Sequence, residues 1–203
     1  MVKYCQLNED MIINAIMIQL GIEKGFAVEF GAGDGFRLSN IRHLVDKGWK
    51  IVQLDANNRG NKDVLVEFIT AENINEVFRK HGLTDMDLLS IDIDGNDYWV
   101  WQFLDDQPKV IVIEWNPNID GCKAIKYNPK HVFKQNDYYG ATWEAYIKLG
   151  KIKGYTLVNS NGLNMFFVRN DLITDRVRIF QKKPPKSKRG WPHCKEGEWV
   201  DVS

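Results

Sequence analysis

The stretch VEFGAGDG, residues 28–35, decides the fold. Apolar Phe26, Ala27 and Val28 lead into it as a buried strand would, and glycines follow at Gly31, Gly33 and Gly35. The next residues, FRLSNIRHLV, have helical spacing and predict a helix running to about Lys47. Strand, glycine turn and helix is how an α/β sheet builds a nucleotide pocket. Glycines let the backbone bend and approach a ligand, and a helix N-terminus offers unpaired N–H groups. The dinucleotide fingerprint is G-x-G-x-x-G, whereas this loop reads G-x-G-x-G behind Glu29.

Outward from the loop, strands and helices alternate. Asn8 is placed to cap a first helix with Glu9 and Asp10 in its first turn; Ile12, Ile13, Ile16, Met17 and Leu20 share one face, and Gly21 is a stop. Strands are expected at residues 26–31, 50–57, 62–70, 86–95 and 108–116, with helices at 71–82 and 96–104. That alternation implies right-handed β-α-β units and a mainly parallel sheet. Residues 138–155 read as a further helix, and 154–172 as two strands joined at Ser160-Asn161-Gly162, an antiparallel hairpin.

A chain of 203 residues has room for one domain with a good-sized core, placed at residues 1–175. Lysine plus arginine and aspartate plus glutamate both number 27, a balance that points to neither a nucleic-acid nor a membrane partner. Cys5, Cys122 and Cys194 form no C-x-x-C pair and suit reduced thiols in a cytoplasmic compartment. MIINAIMIQLGI (11–22) lacks the flanks of a signal peptide and is too short to span a bilayer. Residues 176–203 form a separate basic tail carrying Arg176, Arg178, Lys182, Lys183, Lys186, Lys188, Arg189 and Lys195, with two central prolines opposing regular structure. It reads as a solvated or partly docked tail, with an electrostatic arm for nucleic acid as the alternative.

In open α/β sheets, ligands bind beyond the carboxyl ends of the strands. Those ends carry Glu29 with Gly31, Ala32, Gly33 and Gly35; Asp55 and Ala56; Thr70, Ala71 and Glu72; Asp92 and Asp94; and Glu114 and Asn116. Asp55, 20 residues beyond Gly35, is placed to accept both hydroxyls of a ribose, or else to cap a following helix. IDIDGND (91–97) superficially matches a calcium loop. Its glycine is fourth and Phe103 twelfth, where such a loop needs a sixth-position glycine and a twelfth-position glutamate. Acids packed at a strand end can hold an ammonium, bind a divalent cation or take a proton; Asp94 and Asn96 can also cap a helix.

With these stretches together, the chain resembles the FkbM-like branch of class I S-adenosylmethionine-dependent methyltransferases. VEFGAGDG looks like motif I, and IDIDGND like the family's strand-four motif I-D-V-E-G-A-E, with Asp92, Asp94, Gly95 and Asp97 on its matching positions. The resemblance covers roughly residues 6–172. It implies a Rossmann-like α/β sandwich, a mainly parallel seven-stranded sheet ending in an antiparallel hairpin. It implies S-adenosylmethionine bound by Glu29, Gly31, Ala32, Gly33, Gly35, Asp55, Ala56, Thr70, Ala71 and Asp92, with Asp92 or Asp94 as base or ammonium ligand. The acceptor expected is a small-molecule or carbohydrate hydroxyl. DGNDY is also similar to D-G-D-L-Y of the macrocin O-methyltransferase type, which uses magnesium; Asp94, Glu114 and Asn116 are the candidate metal ligands on that likeness. The rival readings are an RNA-directed methyltransferase, a catalytically silent nucleic-acid-binding protein of this fold, and an NAD-dependent oxidoreductase.

Overall fold

The computed structural model describes residues 3–180, 182–184 and 191–203. Among them, strands β1 (Phe26–Phe30), β2 (Lys50–Asp55), β3 (Val64–Val66), β4 (Leu88–Ile91), β5 (Val110–Glu114), β7 (Tyr155–Ser160) and β8 (Asn164–Arg169) form one seven-stranded sheet, ordered β3-β2-β1-β4-β5-β8-β7. The first five run parallel; β8 lies antiparallel to β5, and β7 to β8. This is the expected sandwich with its antiparallel end. The chain steps outward from β1 to β3 and then crosses back to place β4 beside β1. The crevice at the carboxyl ends of β1 and β4 is therefore the topological switch point.

Alternation along the strands sorts side chains onto two faces. Val28, Phe30, Leu89, Ile91, Ile111 and Ile113 face α2 (Ile74–His81), α3 (Asp97–Phe103) and α4 (Trp143–Ile152). Ala27, Leu88, Val110 and Val112 face α1 (Glu9–Leu20), whose Ile12, Ile13, Ile16 and Met17 are buried as their spacing predicts. Each fully buried Val, Leu, Ile or Phe among them contributes roughly 1.5–3 kcal/mol. Gly150 of α4 lies where a Cβ would come 2.7 Å from the Phe167 ring, so its absence of a side chain lets α4 seat on β8.

Several local expectations are corrected. No α-helix follows Gly35; a 3-10 helix (Arg42–Lys47) forms instead. Asp34 accepts the N–H groups of Phe36 and Arg37, Ser39 accepts that of Arg42, and Leu38 adopts a left-handed φ of 62°. The Asp34 bonds satisfy N–H groups that a first helical turn leaves unpaired, but Ser39 takes the Arg42 N–H that a continuous helix would use, and the Leu38 conformation interrupts the ladder. Asn8 stands at the α1 N-cap position without capping it; its Oδ1 accepts from Asn161 Nδ2 across the hairpin turn. The third strand is only Val64–Val66, because Asn73 takes the Thr70 N–H and donates to the Phe68 carbonyl.

The C-terminal segment supplies a strand that no alternation predicted. Trp199–Asp201 (β9) pairs antiparallel with Lys123–Ile125 (β6), docking on the long β5–α4 connection. Of the basic residues there, Lys183 pairs with Glu144 at 2.5 Å, while Lys186, Lys188 and Arg189 lie outside the described residues. Cys5, Cys122 and Cys194 are free thiols, and among the described residues no helix is long and apolar enough to cross a membrane.

Candidate functional site

The switch-point crevice rests on a buried polar ladder. Gln53, Glu29 and Ser90 are register partners on β2, β1 and β4, all on the α1 face. Glu29 is buried, and its carboxylate accepts Ser39 Oγ at 2.6 Å, Asn40 N at 2.7 Å and Gln53 Nε2 at 2.9 Å. Asn40 Nδ2 donates onward to Ser90 Oγ at 3.0 Å, and Gln53 Nε2 also donates to the Gly35 carbonyl. Burial pushes the Glu29 carboxyl up, opposed by those donors. Thus Glu29 ties both ends of the glycine loop to the sheet.

The loop itself presses on β4. A Cβ at Gly31 (φ 73°) would lie 1.6 Å from the Asp92 carbonyl oxygen, so a side chain there cannot coexist with the strand beside it. Asp55 completes the frame: its Oδ2 accepts Gly33 N at 2.8 Å and its Oδ1 accepts Asn57 N at 2.8 Å. No helix follows for it to cap.

Against this frame opens a cavity of about 250 Å³. Gly31, Asp55, Ala56 and Asp92 line it, as do Asp94 and, from outside the sequence-derived set, Arg59. At the place expected for Thr70 and Ala71 its wall is Phe68 and Ile69; Thr70 Oγ1 is engaged with Asn73 N. His131, Val132 and Phe133 from the β5–α4 connection supply a further wall. His131 packs so closely on Gly95 that a Cβ there would lie 2.3 Å from its Cδ2, and burial pulls its imidazole below the ordinary range. Nothing in the sequence pattern joins His131 to IDIDGND; only the chain's return across the crevice does.

This wall is anchored on several sides. The Tyr127 hydroxyl meets Glu72, and Asn96 Nδ2 donates to the Asn128 carbonyl at 2.7 Å. From the C-terminal segment, the Glu198 carbonyl accepts Lys126 N and Tyr138 Oη, both at 2.8 Å. His193 Nδ1 and Cys194 N each lie 2.7 Å from the Asp137 carboxylate.

The strand-four motif divides its labour. Asp97, not Asp94 or Asn96, holds the turn into α3: its buried carboxylate accepts Ile93 N and Gly95 N, each at 2.8 Å. Asp94 takes a left-handed φ of 54°, while Asp92, Asp94 and Glu114 bring ligand oxygens within 4.8 Å of one another. Asn116, paired with Asp94 and Glu114 in the sequence reading, donates to the Asp137 and Tyr139 carbonyls and accepts Asn118 N. The fully buried Tyr146 phenol is pushed well above its ordinary range, first by burial and then by Asp97, Glu114 and Asp92. Trp115, Tyr139 and Trp143 are core residues, as is Tyr98.

No protein-family model matches the chain, and no curated protein sequence does. Solved structures resemble it in fold. The MycE methyltransferase of the mycinamycin biosynthetic pathway, in complex with Mg, SAH and mycinamycin VI, aligns at TM-score 0.54 and 14% identity over 84% of this chain. The chain spans about half of that protein, 52%. The small RNA methyltransferase HEN1 aligns at TM-score 0.42 and 13% identity over 92% of this chain and 27% of its own. A SAM-dependent methyltransferase from Aquifex aeolicus gives 0.40 and 12% over 79% and 87%. The seven-stranded sandwich shares its Rossmann-like fold with the MycE methyltransferase.

Proposed function

We propose that the chain is an S-adenosylmethionine-dependent methyltransferase of the FkbM-like branch, acting on a hydroxyl of a small molecule or carbohydrate in a reducing, cytoplasmic compartment. The observation that carries this reading is the joined frame of Gly31–Gly35, Glu29 and Asp55 at the switch point, opening directly onto Asp92 and Asp94. When bound, the cofactor supplies an electrophilic methyl group, so the chain's work is to position groups and accept a proton. Gly31, Ala32, Gly33 and Gly35 pass beneath the methionine end, with Glu29 bracing them. Asp55 keeps lone pairs for ribose hydroxyls beside its bond to Gly33. Ala56 with Phe68 and Ile69 offers apolar faces to the adenine, with Thr70 and Ala71 behind. Asp92 receives the ammonium and Asp94 the acceptor's proton.

Thermal unfolding with S-adenosylhomocysteine, with NAD and with neither tests the reading. A ligand at 100 times its Kd adds about 2.7 kcal/mol, roughly 5–10 °C for a chain of this size. A shift with the homocysteine compound alone supports it; a shift with NAD alone sinks it. Asp94→Asn should abolish transfer while leaving that binding intact.

The convergence of Asp92, Asp94 and Glu114 favours a second reading, in which these acids hold Mg²⁺ instead of taking the ammonium and the proton. Three carboxylates suit a hard divalent cation, which would orient and polarise an acceptor oxygen. Mn²⁺ binding followed by electron paramagnetic resonance, lost in Glu114→Gln, tests that version independently of turnover.

A further inference from the structure

Arg59 is a cavity residue to which the proposed function gives no role. Its backbone takes a left-handed φ of 49°, which costs a non-glycine residue about 1–2 kcal/mol. A relay of side-chain bonds holds that conformation. Asp55 Oδ1 accepts Asn57 N, and Asn57 Oδ1 accepts Arg59 N at 2.9 Å. The carboxylate that frames the glycine loop therefore also curls the β2–β3 connection back over it. A Cβ at Gly33 would meet the Arg59 guanidinium carbon at 3.4 Å, Nη1 at 3.6 Å and Nε at 3.7 Å. Three atoms of a planar group at nearly equal distance mean that the guanidinium lies face-on to the loop. Its N–H groups lie in that plane, and Arg59 is one of the residues lining the cavity. Among the described residues, no carboxylate lies within ion-pair distance of it.

An arginine on an exposed connection is ordinarily a solvated cation. Here it is held in a strained conformation above the second glycine of the loop, where a ligand running along the loop must pass. The ligand either contacts the guanidinium or displaces it.

We propose that Arg59 is a cofactor-binding residue that takes the α-carboxylate of the cofactor's amino-acid end. This rests on the methyltransferase reading. The carboxylate is that cofactor's sole anionic group, and the guanidinium fork matches it with two parallel N–H donors. Asp55 serves the ribose and Phe68 with Ile69 the base, so the amino-acid end is the part left to a cation. Arg59 then provides the positive counterpart to Asp92 on the ammonium, and together they distinguish the zwitterionic end from a nucleoside without it.

Calorimetric titration of the full chain with S-adenosylhomocysteine and with 5′-methylthioadenosine, which lacks the amino-acid end, tests the assignment. In Arg59→Gln, affinity for the homocysteine compound should fall tenfold or more with 5′-methylthioadenosine affinity unchanged, and Arg59→Lys should recover part of the loss. Equal losses for both compounds would overturn the assignment in favour of a contact with the adenosine part. Unchanged affinity for both would overturn it in favour of a solvated arginine. Wild-type protein that bound neither compound would overturn the methyltransferase reading beneath it, a result separate from any effect of the substitution.

Discussion

Gly31→Ala is the sharpest probe of how the crevice is built. The new Cβ would stand 1.6 Å from the Asp92 carbonyl oxygen and 2.6 Å from its carbon, both backbone atoms that no rotamer change can move. Even a 3.0 Å contact needs about 1.4 Å of separation between the ends of β1 and β4. The Asp92 N to Phe30 O bond, already 3.3 Å, would be lost, and Ala32 N, tied to the Leu54 carbonyl at 3.2 Å, restrains the loop from the other side. The left-handed backbone costs alanine about 1–2 kcal/mol, the lost hydrogen bond about 0.5–1.5 and the overpacking about 1–3. Gly60→Ala provides the control, because Gly60 has φ 88° with nothing within 4 Å, leaving only the backbone cost. Urea unfolding of both variants should therefore show Gly31→Ala as the less stable by roughly 2 kcal/mol or more. It should also lose S-adenosylhomocysteine binding, since Asp92 moves with the strand. Two variants equal within about 0.5 kcal/mol, the usual reach of independent small effects, would refute the close approach of loop and strand.

Glu29→Gln replaces one acceptor oxygen with a donor amide amid Ser39, Asn40 and Gln53, and should cost about 1–3 kcal/mol. Because burial raises the folded Glu29 pKa above its ordinary 4.5, its contribution is fully present below the unfolded value and fades as pH rises through the folded one. The stability gap between wild type and variant should therefore narrow from pH 4 towards neutrality; urea melts showing a constant or widening gap would contradict this. Asp137→Ala releases His193 and Cys194 from the connection that walls the cavity. It should weaken S-adenosylhomocysteine binding several-fold by calorimetry, and unchanged affinity would mean that the wall holds without the C-terminal segment.

The site concentrates strain where strands reverse order. Arg59 and Asp94, which line the crevice, take left-handed conformations, as does Leu38 in the segment after the glycine loop. The residues near them are tied down by carboxylates: Ser39 and Asn40 by Glu29, Asn57 by Asp55, and Ile93 and Gly95 by Asp97. Carboxylates satisfied by backbone N–H groups keep such loops in one shape, which a ligand site gains from directly.

Hydrophobic alternation and glycine spacing, both local properties, sufficed for the parallel strands, the terminal hairpin and the placing of Gly31, Asp55 and Asp92 at one edge. Parallel strands that end together bring their next residues together, whatever lies between them in sequence. Local pattern failed where a side chain competes with the backbone: Ser39 and the left-handed Leu38 turn a helical period into a loop and a 3-10 turn. It failed again for β6 and β9, whose three residues each carry too little alternation to register and whose pairing spans most of a domain's return path. The roles of Arg59, His131 and Asp97 depend on which segments fold back over the crevice. Such contacts between distant segments leave no periodic trace in the chain, so tertiary structure alone decided them.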